Sequence, residues 1–176
     1  VLDERPGIGV ELDEAALRGW NGIGSWYSSN YQIFQSPGYV VILQELIHEP
    51  RIIPLDGRPH LASRASQWLG DSRGRWDGDT LVVETTNFDA RASFRGSSAA
   101  MRLVERYKRT DANTIDYQFT IDDPETFTKP WTVSLPMRRM TDGITVYEYA
   151  CHEGNHAMVG ILGGARAEEK AAAAAG

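Results

Sequence analysis

The stretch "LVERYKRTDANTIDYQFTI", residues 103–121, decides the fold class, because it holds two alternating segments separated by a turn. Side chains alternate between the two faces of a strand, so Leu103, Glu105 and Tyr107 share one face of the first segment. The corresponding apolar face of the second segment is formed by Ile115, Tyr117, Phe119 and Ile121. The intervening "TDANT" is rich in residues that favour tight turns. The stretch therefore predicts an antiparallel β-hairpin.

Segments of the same kind occur along most of the chain. Further strands are predicted at "NYQIFQ", "GYVVILQELIHE", "RIIPL", "DTLVVETTNF", "PWTVSLPMRR" and "ITVYEYAC". Residues 56–79 are rich in turn-forming residues and are predicted to be one long connection. Eight evenly spaced strands with few helices predict an all-β fold, either an antiparallel β-barrel of the lipocalin or calycin type or a strongly curled sheet.

The domain organisation follows from the same pattern. A chain of 176 residues fits a single domain, 1–176. Residues 1–30 are predicted to be an irregular N-terminal arm with one short helical segment, and residues 31–152 to be the barrel. Residues 153–176 are predicted to be a loop and a C-terminal helix, because "GGARAEEKAAAAAG" is rich in alanine.

The composition limits which classes of partner the protein can have. The net charge is −6 and the pI is about 5.2, which argues against nucleic acid and anionic membranes, since both reward clustered Lys and Arg. No apolar run reaches the roughly 18 residues that a membrane span needs. The single cysteine, Cys151, excludes an intramolecular disulfide. The chain begins "VLDERPG" without methionine, and we expect a mature or trimmed form.

Several of the apolar strand faces carry one carboxylate or imidazole each. A buried charge is costly unless it has a partner, so such groups need pairing or a polar cavity. A barrel lumen that holds a small ligand would supply this setting. The alternative is that Glu45 and Glu105 pair with arginines at the surface. The residues concerned are Glu45, His48, Glu105, Glu148 and His152.

The polar interior selects the candidate site residues. His152 and His48 end their predicted strands and are expected to transfer protons, since imidazole titrates near neutral pH. Glu148 and Glu45 are expected to orient or assist them. Arg58 or Arg73 would hold an anionic or carbonyl group. The substrate-binding candidates are Tyr31, Arg58, His60, Trp68, Arg73 and Trp131.

A competing signature lies at "HEGNH", residues 152–156, which matches the H-E-x-x-H pattern of zinc proteases. That pattern needs a helix, because only helical pitch places both histidines on one face. The stretch follows a strand-like segment, and Gly154 and Asn155 disfavour a helix. A zinc hydrolase using His152 and His156 stays an alternative, and no metal or cofactor is expected.

Long stretches of the chain resemble a large group of uncharacterised exported bacterial proteins. The resemblance rests on "RIIPLDGRPH", "WLGDSRGRWDGDTLVVETTNF", "YACHEGN" and "GARAEEK", and it covers roughly residues 30–172. It implies a periplasmic or secreted location but no particular activity. The group's usual form is "HEGNY", which leaves His152 and Glu153 in the shared pattern and His156 outside it.

The sequence thus predicts an enzyme that acts on a small molecule by metal-independent acid–base chemistry, as a lyase, isomerase, cyclase or hydrolase. One alternative is a lipocalin-like binding protein without catalysis, and the other is the zinc hydrolase. A small-molecule substrate or ligand is the expected partner. The acidic surface and the projecting terminal helix would allow a homodimer.

Overall fold

The structure is a computed structural model that describes residues 30–46, 48–91, 96–140, 146–148 and 156–175. Within these residues the chain forms eight strands followed by one helix. The elements are β1 Tyr31–Ser36, β2 Tyr39–Gln44, β3 Pro50–Pro54, β4 Asp71–Asp77, β5 Thr80–Thr86, β6 Arg102–Asp111, β7 Thr114–Asp122, β8 Trp131–Arg138 and α1 Ala157–Ala175.

The strands form two antiparallel sheets in which neighbours in sequence are neighbours in space. The first sheet has the order β1-β2-β3 and the second has the order β4-β5-β6-β7-β8. Tight turns make this order possible: Gly38 and Gly78 adopt positive φ angles of 79° and 61° in the β1–β2 and β4–β5 turns. The hairpin predicted from 103–121 is present as β6 and β7, with an irregularity between Arg109 and Asp111.

The inner faces of the two sheets share one apolar core. Ile33, Val40 and Ile53 from the first sheet are buried in the same cluster as Leu81 and Ile115 from the second. The contact between the sheets is closest where β3 approaches β4.

Gly74 marks this close approach. A Cβ atom at that position would lie 2.6 Å from Leu55 Cδ2 and 2.8 Å from Ile53 Cγ2. The absence of a side chain on β4 therefore lets the two sheets pack together.

The all-β antiparallel prediction is confirmed, together with a C-terminal helix. The described strands are divided between two sheets and do not close into a barrel within the described ranges. The prediction that residues 56–79 form one long connection is wrong, because β4 occupies its second half. Strand "ITVYEYAC" is not found where it can be checked, since residues 146–148 lie outside any strand.

The C-terminal helix is longer than predicted, because it begins at Ala157 and spans 19 residues. Its apolar side chains, among them Val159 and Ile161, are exposed. No helix in the described ranges combines the length and the apolar character that crossing a membrane requires. The predicted N-terminal helix and residues 149–155 lie outside the described residues.

Candidate functional site

The outer face of β4, β5 and β6 carries a set of facing charged side chains. On this face Asp71 lies opposite Thr86, Arg73 opposite Glu84, and Arg75 opposite Val82. Arg102 of β6 lies on the same face, because it is two positions from Val104, the partner of Glu84. We call the following six residues the outer polar patch: His60, Asp71, Arg73, Arg75, Glu84 and Arg102.

A histidine–aspartate pair lies at the edge of this patch. His60 Nδ1 is 3.0 Å from Asp71 Oδ2, within hydrogen-bond distance. The Asp71 side chain is 5% exposed and that of His60 is 25% exposed. The carboxylate is therefore sealed in the protein, whereas part of the imidazole ring remains open to a ligand.

Asp71 is fixed by other donors besides His60. The backbone N–H of Leu61 donates to Oδ2 over 2.9 Å, and Arg73 Nη1 donates to Oδ1 over 2.6 Å. Burial raises the pKa of Asp71, but the hydrogen bonds from Leu61, His60 and Arg73 outweigh it, so the pKa lies below its ordinary value. Asp71 is consequently an ionised acceptor for the imidazole at neutral pH.

The second ring nitrogen of His60 faces Glu84. His60 Nε2 is 3.8 Å from Glu84 Oε1, which is too far for a hydrogen bond. Glu84 is instead held by Arg102, whose Nε and Nη2 atoms donate to its two oxygens over 2.9 Å and 2.6 Å. The hydrogen bond from Arg102 is the largest cause that lowers the pKa of Glu84.

The loop that presents His60 is tied to the sheet through backbone groups. Asn87 adopts a positive φ of 58° and donates from Nδ2 to the carbonyl oxygens of Leu61 and Ala62. Gly70 (φ +69°) leads into β4, where a Cβ atom would lie 2.8 Å from the carbonyl oxygen of Thr86. This packing fixes the direction from which Asp71 enters the patch.

A second group of polar side chains lies on the inner face of the same sheet. Glu105 is 2% exposed, and its Oε1 atom accepts hydrogen bonds from Tyr107 Oη (2.7 Å) and Tyr117 Oη (2.9 Å). Its Oε2 atom pairs with Arg51 of β3. Tyr31 lies within the electrostatic field of this pair. We call these five residues the inner polar cluster.

The inner polar cluster holds its tyrosines in the neutral form. Burial and then the charge of Glu105 raise the pKa of Tyr31 to about 12. The same two causes raise the pKa values of Tyr107 and Tyr117 well above the ordinary value. The cluster is an internal ion pair between the two sheets, closed by hydroxyl donors.

The predicted proton-transfer residues do not come together in the described part of the chain. His152 lies outside the described residues. Glu148 was expected to face inward but is exposed. His48 was expected at the end of a strand, but β2 ends at Gln44 and His48 lies in the following turn with a positive φ of 56°. Glu45 accepts a hydrogen bond from Asn30 Nδ2 over 2.6 Å.

Two of the predicted substrate-binding residues do meet. His60 and Arg73 both contact Asp71, and Arg73 Nε also donates to the carbonyl oxygen of Pro59. Arg58 lies apart, where it donates to Asp56 in an exposed loop. The surface alternative is wrong for Glu105, because its side chain is only 3% exposed where it pairs with Arg51.

The predicted aromatic residues have separate environments. Tyr31 belongs to the inner polar cluster. Trp131 packs edge-on against Phe119 and Phe127, at centroid distances of 5.8 Å and 5.6 Å. Trp68 is 52% exposed, and the guanidinium of Arg91 lies 4.7 Å from its ring centroid. Trp68 thus presents an exposed ring supported by Arg91, whereas Trp131 is partly buried and packs against the core.

The zinc alternative requires metal ligands that converge on one point. No group of three or more His, Cys, Asp or Glu side chains in the described ranges is arranged to hold a metal ion. His156 is exposed and its carbonyl oxygen accepts a hydrogen bond from Gly160 N at the start of α1. The zinc alternative also needs His152, which lies outside the described residues.

Sequence reasoning misses the two carboxylates of the outer polar patch. It predicts a connection at Asp71 and a strand at Glu84, with no role for either side chain. The alternation that put Glu105 on an apolar face was the available signal, and it correctly pointed to a polar interior. No comparable signal marked Asp71, because its partner His60 lies in a loop.

No protein-family model, curated protein or solved structure matches the chain. The geometry of the outer polar patch is therefore the guide to function. That geometry offers one imidazole with an ionised orienting carboxylate, one open ring nitrogen and adjacent guanidinium groups. Such an arrangement can accept or donate a proton next to a bound anion.

Proposed function

We propose that the protein is an enzyme that acts on a small organic molecule by general acid–base chemistry, with His60 as the proton-transfer group. The observation that carries the proposal is the contact of 3.0 Å between His60 Nδ1 and the buried carboxylate of Asp71. Asp71 acts as the positioning residue, because it fixes both the ring orientation and the tautomer.

The hydrogen-bond network assigns the tautomer. Ionised Asp71 can only accept, so neutral His60 carries its proton on Nδ1 and leaves a lone pair on Nε2. Since Nε2 makes no hydrogen bond with Glu84, that lone pair is available to a substrate or a water molecule. The first chemical step is removal of a proton from the substrate by Nε2. The resulting imidazolium is stabilised by Asp71 and then returns the proton.

The proposed reaction class is a metal-independent lyase, isomerase, cyclase or hydrolase, since all four can use such a proton relay. A barrel-like interior, with the two sheets curled around a shared core, stays part of the proposal. It is supported by the Arg51–Glu105 pair that joins the sheets. Export to the periplasm or beyond is also proposed, and it rests on the resemblance in sequence alone.

The first test does not need a substrate. The ¹⁵N chemical shifts of the His60 ring should show the proton on Nδ1 in the wild type. In Asp71→Asn the amide can donate to Nδ1, so we expect the proton to move to Nε2. A wild-type ring protonated on Nε2 would contradict the proposed base.

The second test is turnover. The wild type is screened against lactones, esters and β-hydroxy acids, which sample hydrolysis and elimination. On any substrate found, His60→Gln and Asp71→Asn should each lower kcat by roughly 10²–10⁴-fold, the usual contribution of a general base. His156→Gln is the matched control, because His156 is exposed at the start of α1.

Two outcomes favour the other functions. Unchanged kcat in His60→Gln, with the fold intact by circular dichroism, would remove His60 from the chemistry. Binding of a screened molecule without turnover would favour a lipocalin-like binding protein. Loss of activity on dialysis against EDTA, restored by zinc and abolished in His156→Gln, would favour the zinc hydrolase.

A further inference from the structure

Arg75 differs from the other arginines of the outer face. Arg73, Arg102 and Arg106 each make an ion pair with a carboxylate, whereas Arg75 makes no hydrogen bond or ion pair within the described residues. Its side chain is exposed. An arginine with a vacant planar face of donors is suited to bidentate binding of a carboxylate or phosphate.

Arg75 lies on the same face of β4 as Asp71, the partner of the proposed base. Arg75 follows Arg73 on the same face of β4, and its facing partner is the buried Val82. Val82 is two positions from Glu84 on β5, so the two side chains are on the same face. The positive charges of Arg102, His60 and Arg75, in that order, lower the pKa of Glu84. Glu84 is therefore a shared neighbour of His60 and Arg75 on this face, and it is paired with Arg102.

The charge of the patch selects the kind of anion. Its three guanidinium groups and two carboxylates sum to a net charge of +1, whereas the whole chain carries −6. Asp71 and Glu84 are matched by Arg73 and Arg102, so Arg75 is the charge of the patch that no described residue neutralises. A monoanion neutralises this single charge, whereas a dianion would leave one negative charge in excess.

We propose that Arg75 binds the carboxylate group of the substrate and holds the molecule beside His60 Nε2, so that the substrates are small carboxylic acids. The assignment rests on the proposed function for the role of His60. Arg75 is then a binding and specificity-determining residue that the sequence does not single out, since Arg58 and Arg73 are the arginines it predicts.

The experiment uses acetate as the probe for a carboxylate and inorganic phosphate as the probe for a phosphoryl group. Each is titrated into the full chain while the arginine Nε–H signals and the His60 ring signals are followed by NMR. We expect acetate to shift the Arg75 and His60 signals, and to bind at least tenfold more weakly to Arg75→Gln. Arg75→Lys should weaken binding less, since it keeps the charge without the planar donors.

Arg106→Gln is the matched control. Arg106 is on the same face and its side chain is 40% exposed, but it is paired with Asp77. Its replacement should leave acetate affinity unchanged. Equal acetate affinity in Arg75→Gln and the wild type would overturn the proposal, and so would tighter binding of phosphate than of acetate.

The experiments distinguish a failure of the carboxylate site at Arg75 from a failure of the proposed base, His60. Acetate affinity that depends on Arg75, in a protein whose His60→Gln variant loses no activity, leaves the carboxylate site standing and removes the proposed base. Turnover that depends on His60 but not on Arg75, with kcat/KM for a carboxylic acid unchanged in Arg75→Gln, keeps the base and removes the site.

Discussion

The two faces of strand β6 carry charged groups that behave in opposite ways. On the inner face, Glu105 is sealed in the core and its two oxygens receive three partners. On the outer face, Arg102 holds Glu84 at the surface, next to an imidazole with one unused nitrogen. The residue types are similar, but burial turns the first group into a link between sheets. Partial exposure leaves the second group able to meet a ligand.

The largest effect is expected from breaking the inner polar cluster. Glu105→Gln leaves Arg51 as a buried charge without its counter-ion. The free energy of unfolding should therefore fall by about 3–5 kcal/mol, as measured by urea denaturation. The control is the double variant Arg51→Met/Glu105→Leu, which removes both charges and should recover most of the loss. A single variant as stable as the wild type would show that the pair does not join the sheets.

The next largest effect tests the contact between the sheets without touching a charge. Gly74→Ala introduces a Cβ atom against Ile53 and Leu55, so the free energy of unfolding should fall by roughly 1–3 kcal/mol. Gly78→Ala cannot serve as the control, because Gly78 has a positive φ. The better control is Gly163→Ala in α1, where nothing lies within 4 Å and helix propensity should make the change neutral or stabilising.

Alkaline pH should distinguish the inner cluster from the surface through Tyr31. Its folded pKa is raised to about 12 from an unfolded value of 10. The unfolded chain therefore loses this proton first, and the associated stability is present below pH 10 and is lost as the pH rises toward 12. Tyr31→Phe should reduce the loss of stability by about 1 kcal/mol at pH 11, measured as the difference between pH 9 and pH 11. An identical pH profile in the variant would mean that burial and Glu105 do not raise the pKa of Tyr31 in the folded protein.

The smallest effect is expected from an exposed pair on the outer face. Arg106 and Asp77 form an ion pair, but their side chains are 40% and 60% exposed. Asp77→Asn should change the free energy of unfolding by about 0–1 kcal/mol. Most of this change should disappear in 1 M NaCl, because salt screens exposed charges. A cost comparable to that of Glu105→Gln would mean that solvent exposure does not separate the two faces.

The strand-forming part of the fold could be predicted wherever one face is continuously apolar. The segments 103–109 and 114–121 alternate cleanly, and both are strands. Strand β4, "DSRGRWD", shows no such alternation, because one face is charged and Gly74 occupies the other. On its inner face, β4 packs against Ile53 and Leu55 of a neighbouring segment. The residue pattern of 71–77 alone therefore does not predict a buried strand.

The site could be predicted only in fragments. His60 and Arg73 were named as binding residues, but the carboxylate that joins them is Asp71, 11 residues from His60. Their meeting depends on how the loop after β3 returns to the sheet, which is fixed by bonds from Asn87. The Arg51–Glu105 pair spans 54 residues and two sheets. Alternation shows which face a residue occupies, but it cannot show which residue of another sheet will oppose it.

The single buried carboxylate of β6 also protects the chain against assembling incorrectly. A slip of β6 by one position would turn Val104 and Arg106 inward and expose Leu103, Glu105 and Tyr107. The guanidinium of Arg51 would then face another cation or an aliphatic side chain, and Leu103, Glu105 and Tyr107 would lose their buried partners. A slip by two positions keeps the faces but moves Glu105 away from Arg51. The Arg51–Glu105 pair thus favours the native register of β6, because neither of these slips preserves it.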